Sequence, residues 1–109
     1  MKISIYSVTK TTLMLDNKIL TLHPQGKKGV NIDRDKYETL KNFILETVRS
    51  RGQISYQELN ELGETTLTDS FPGSVPWYLV TVKLDLEARG LLERVPKTSP
   101  HELRLVEDT

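Results

Sequence analysis

Residues 75–90 carry the most legible pattern in the chain. Placed at about 100° per residue, Val75, Leu79, Val82 and Leu86 form one apolar row, while Trp77, Val80, Leu84 and Ala88 gather on the opposite side. Ser74 has the chemistry of an N-cap, Pro76 fits a first turn whose amides have no helical partner, and Gly90 is a stop signal. A helix apolar on two sides is expected to be gripped by two layers of protein, with Trp77 packed in the core beside Leu84 and Ala88. Two narrow polar strips remain, one holding Pro76, Lys83 and Glu87 and the other Thr81 and Asp85. Asp85 and Arg89, four apart, are expected to pair on the surface.

Tyr37, Leu40, Ile44 and Val48, with Phe43 beside them, predict an earlier helix over about 33–51, capped by Asp33, stapled by Ile32 against Tyr37 and closed by Gly52. Ser55 and Glu58 have the spacing of a capping box, with Ile54 and Leu59 as a second staple. The helix they open points Leu59 and Leu62 inward and ends between Leu62 and Leu67, because Gly63 weakens it. Residues 53–55 read as a bridge, and residues 68–73 as a connection that tucks Phe71 into the core. Residues 91–95 and 101–106 read as strands joined by a turn at 96–100, with Leu103 and Leu105 on one face.

At the other end, residues 2–8 read as a strand with Ile3 and Ile5 on one side. Residues 12–15 and 19–22 read as a hairpin turning at Asp16, Asn17 and Lys18, with Leu13, Leu15, Leu20 and Leu22 on its buried side. Residues 24–29 form a loop whose Lys27 and Lys28 have the charge to meet an anion, although a solvated loop is the expected role of so short a run.

Helix, bridge, helix, connection, helix and hairpin is the order of a winged-helix domain. The expected fold is α+β: a winged-helix three-helix core over residues 32–109 with a C-terminal two-stranded wing, and an N-terminal strand and β-hairpin extension, residues 1–31, packing on the same domain. Val30-Asn31 with Tyr37, Phe71-Pro72-Gly73, and above all Trp77-Tyr78 followed by residues 81–89 (TVKLDLEAR) resemble an uncharacterised family of small bacterial winged-helix proteins. The resemblance implies the fold and leaves the activity open.

At 109 residues the chain suits one core. It has no cysteine, which excludes disulfides and thiolate metal sites and suits a cytoplasmic address. No signal peptide or membrane span is expected. Net charge is zero but uneven: residues 1–32 hold five lysines against Asp16 alone, whereas residues 55–109 hold ten acids against five basic residues. No phosphate loop or metal-spaced histidine pair stands out, and His23 and His101 each adjoin a proline, so neither catalysis nor a cofactor is expected.

Two readings remain. By analogy with winged helices, double-stranded DNA would meet Trp77, Thr81 and Lys83 on the third helix and Arg94, Lys97 and Arg104 on the wing. The acids interleaved on that helix and the acidic C-terminal half oppose this. The alternative is a protein–protein interaction or homodimerisation module without DNA binding, in which a partner or second subunit covers the helix's second apolar side.

Overall fold

Ser55 and Ser74 start two of the helices as expected: Ser55 Oγ accepts the Glu58 N–H at 3.0 Å and Ser74 Oγ accepts the Trp77 N–H at 3.3 Å. A computed structural model describes residues 17–107. The elements run β1 (Lys18–Leu20), β2 (Asn31–Asp33), α1 (Arg34–Arg51), β3 (Ile54–Ser55), α2 (Tyr56–Leu67), α3 (Val75–Ala88), β4 (Leu92–Val95) and β5 (Glu102–Leu105). The described residues thus form an α+β fold of three helices and two small antiparallel sheets, β1–β2 and β3–β5–β4. None of their helices is long and apolar enough to cross a membrane. The strands expected at 2–8 and 12–15 lie outside the described residues.

Helix ends show which local signals act. Gly90, at φ 80°, lets the chain turn back, so that Gly90 N–H donates to the Glu87 carbonyl and Leu91 N–H to the Leu86 carbonyl, a Schellman stop. Only half of the capping box at Ser55 forms, because the Glu58 carboxylate turns to Arg51 Nη1 at 2.6 Å. Asp33 flanks α1 without capping it; its carboxylate lies 3.4 Å from Lys18 Nζ and 4.0 Å from Lys36 Nζ.

Pairing departs from the sequence reading in two places. Ile54 and Ser55 are a strand, opposite Leu103 and Glu102 of β5, so the C-terminal sheet has three strands where two were expected. Ile54 and Leu103 are both buried, and that apolar pair explains why so short a strand holds. Lys18 lies inside β1 opposite Asp33 instead of in a turn, and Ile19 faces Ile32. With Ile19 packed on the core and Thr21 buried, the strand's alternation sends Leu20 and Leu22 outward, opposite to the side expected for them.

The core fills the space between the helices and the C-terminal sheet: Leu40, Ile44 and Val48 of α1, Leu59 of α2, Leu79, Val82 and Leu86 of α3, and Leu92 and Leu103 of the sheet are all buried. Each such side chain stabilises the fold by about 1.5–3 kcal/mol relative to exposure. Phe71 joins them from the α2–α3 connection, as expected.

Gly63 is buried where α2 meets α3. A Cβ there would stand 2.6 Å from Leu79 Cδ1 and 3.4 Å from Phe43 Cε2. Gly63→Ala is therefore expected to destabilise the fold by about 1–2 kcal/mol, the clash outweighing the roughly 1 kcal/mol of helix propensity that alanine brings. Urea unfolding checks this; a raised midpoint would mean that Leu79 swings aside freely.

Candidate interaction surface

Asp85 is fully buried, contrary to the surface pairing expected of it. Its carboxylate accepts the Leu22 N–H at 2.8 Å, the Tyr37 hydroxyl at 2.6 Å, and the Arg89 Nε–H at 3.0 and 2.8 Å on its two oxygens. A buried carboxylate is tolerated because its lone pairs meet donors. Burial, then the hydrogen bond to Asp85, pushes the Tyr37 hydroxyl far above its ordinary pKa, so Tyr37 stays a donor. One side chain thereby fastens α1, α3 and the segment after β1.

That segment is a loop closed at its base. Thr21 N–H and Thr21 Oγ1–H both donate to the Val30 carbonyl, at 2.9 and 3.2 Å, and Thr21 Oγ1 accepts the Val30 N–H at 3.1 Å. Gly29 lies so close that any Cβ would overlap the Thr21 carbonyl. At the tip, His23 accepts the Gly26 N–H on its carbonyl and the Gln25 N–H on Nδ1, leaving Lys27 and Lys28 in solvent. Loops with joined ends of this size are compact surface features.

The loop runs along the outer row of α3. Trp77 is 46% exposed, and Leu20, Leu22 and Val30 across from it are 53%, 42% and 39% exposed. Val80, Thr81, Leu84 and Ala88 are half-buried. A cleft of about 210 Å³ opens between Leu22 and Val30 on one wall and Trp77, Thr81 and Leu84 on the other. A second, of about 460 Å³, continues past Ala88 to Leu20, Lys27 and Lys28. Among the described residues the expected sandwich is thus half made. The inner row packs in the core, whereas among the described residues the Trp77 row faces this loop, and the Trp77 ring lies 4.8 Å from that of Tyr78, edge-on.

Residues 18–103 match the family described as a family of unknown function, DUF6958. The chain belongs to that family. Its DUF6958 region begins at β1 and takes in the loop, α3 and both clefts. Searches of curated proteins and of solved structures return no match.

The fold distributes the six residues expected at DNA unevenly. Trp77 and Thr81 come together in one cleft. Lys83 is buried on another side of α3, 2.8 Å from Glu87, with its ammonium 5.2 Å above the Tyr56 ring. Arg94 reaches the same Glu87 at 3.6 Å, and Arg104 pairs with Glu93 at 2.6 Å across β4 and β5. Lys97 is exposed in the β4–β5 turn, at φ 63°. Leu20, Leu22, Val30 and Leu84 complete the surface around Trp77. The sequence reading placed Leu20 and Leu22 on a buried side; only knowledge that Ile19 faces Ile32 would have reversed it.

His101 packs flat on Tyr56, ring centroids 5.7 Å apart, with Lys83, Glu87 and Arg94 as its charged neighbours. Burial, then the Lys83 and Arg94 charges, lowers its pKa below the usual 6.5, against the raising effect of Glu87. On acidification the unfolded chain takes up this proton first. Its contribution to stability is therefore complete above about pH 6.5 and declines as pH falls toward the lower folded value. Urea midpoints between about pH 7.5 and 5.5 should fall, and His101→Gln should flatten that slope; an unchanged slope would exclude His101. Asp85→Ala should destabilise by about 2–3 kcal/mol, stranding the Leu22 N–H, the Tyr37 hydroxyl and the Arg89 charge, against about 1 kcal/mol for Tyr37→Phe. A loss under about 0.5 kcal/mol for Asp85→Ala would contradict the role given to it.

Proposed function

We propose that this chain is a protein-docking module, a winged-helix-like frame whose outer α3 row and adjoining loop receive another protein, and not a reader of double-stranded DNA. The observation that carries the reading is exposed Trp77 with half-buried Leu84 beside it, faced by exposed Leu22 and Val30 across a cleft. Burying such a row against apolar groups is favourable, whereas phosphates and groove edges offer it little. Tryptophan in a pocket is also a frequent anchor of protein interfaces.

The order α1, β3, α2, α3, β4, β5 supports the winged-helix frame, with the β4–β5 turn as the wing. In that frame α3 would be the DNA-facing helix, yet its lysine is buried against Glu87, and Arg94 and Arg104 are drawn to carboxylates. Lys83, buried in this way, is not free to neutralise a phosphate, and of the wing cations Arg94 and Arg104 have carboxylate neighbours while Lys97 is exposed.

Panning the full chain against a displayed random-peptide library tests the reading. Enriched clones should bind the wild type and lose at least about 10-fold in affinity for Trp77→Ser, as for loss of an interface anchor. The variant's circular dichroism and melting should confirm that it folds. Clones that bind both forms alike would contradict the reading. So would saturable, steeply salt-dependent binding of duplex DNA that Trp77→Ser leaves intact.

A further inference from the structure

We infer that the segment received by the α3 row is acidic: an amphipathic stretch of another protein whose apolar side chains enter the Trp77 cleft while its carboxylates meet Lys27 and Lys28. This rests on the docking reading above and adds the partner's chemistry.

The charge around the two clefts is one-sided. Lys28 borders both clefts and Lys27 the one past Ala88, and no carboxylate of the described residues lines either. Most other cations of the described residues have an acid nearby, including Lys18 and Lys36 with Asp33, Lys83 and Arg94 with Glu87, and Arg104 with Glu93. Lys27 and Lys28 pair with no carboxylate of the described residues. Two neighbouring lysines that no described carboxylate compensates, beside an apolar cleft, attract an acidic, apolar-faced ligand.

The lysines are also held in place. Thr21 and Val30 close the base of their loop, and the Leu22 N–H is anchored on Asp85. A partner therefore meets a loop already ordered, with less conformational entropy to lose on binding. From Trp77 to Ala88 the row is ~17 Å long at 1.5 Å per residue, the length of about three helical turns.

Two other occupants fit less well. A second copy related by a two-fold axis would bring this patch against itself, and among the described residues the patch offers its own lysines no acid. A nucleic acid would satisfy the lysines and stack on Trp77, yet leave Leu22, Val30 and Leu84 without an apolar partner.

The test uses three synthetic 15-residue peptides with leucine at i, i+4, i+7 and i+11 and glutamate, glutamine or lysine elsewhere. Each is titrated into the full chain. Trp77 is the chain's only tryptophan, so its emission reports the cleft directly. The glutamate peptide should bind saturably, shift that emission, and bind at least about 10-fold more tightly than the lysine peptide. Lys27→Ala/Lys28→Ala should weaken it by roughly 3- to 10-fold, and its affinity should fall between 50 and 500 mM salt.

Equal affinity for the glutamine or lysine peptide, or indifference to the double substitution, would overturn the acidic partner and leave the docking surface standing. Failure of all three peptides below about 1 mM, with duplex DNA moving the Trp77 emission instead, would overturn both. An emission that shifts with protein concentration alone would make a second copy the occupant and overturn the inference.

Discussion

One buried carboxylate organises the side of the molecule that carries the Trp77 cleft. Asp85 sits where α1, α3 and the loop after β1 converge, and it gathers donors from each of them: Tyr37, Arg89 and the Leu22 backbone. Removing any donor leaves a charge poorly satisfied away from water, so the three segments are held in one arrangement. The loop's place beside α3 follows, and with it the cleft that Trp77 walls.

The sides of α3 divide the work. Val75, Leu79, Val82 and Leu86 close the core; Lys83 and Glu87 pack toward Tyr56 and Arg94; Asp85 and Arg89 hold the loop. The Trp77 row is what remains, and it is apolar. Of the cations expected at DNA, Lys83 is engaged inside the fold, exposed Arg94 and Arg104 stand in ion pairs with Glu87 and Glu93, and Lys97 is exposed in the β4–β5 turn. Positive charge at the exposed cleft comes from Lys27 and Lys28, on a loop that precedes the three helices.

Local signals were legible in the sequence. Serine caps at 55 and 74, the stop at Gly90, and the inner rows of α1 and α3 depend on groups a few residues apart, and each lies where the pattern put it. Signals that need a distant partner were not. Lys83 and Asp85 read as wet strips because a helical wheel treats charge as solvent-facing; Tyr56, Glu87, Tyr37 and the Leu22 amide make their burial tolerable, and most of these lie far along the chain. Leu20 and Leu22 were assigned to the wrong face because the pairing of β1 with β2 spans the whole loop. Trp77, grouped correctly with Leu84 and Ala88, was expected in the core because the wheel shows which residues share a side, not what covers it.

Acrylamide quenching of Trp77 fluorescence measures most directly whether the α3 row is open in the free chain. The account predicts an indole that acrylamide reaches readily, with emission intermediate between buried and fully solvated and no dependence on protein concentration. An emission characteristic of a buried indole, shielded from acrylamide in the isolated monomer, would mean that the row is already covered and would contradict the account.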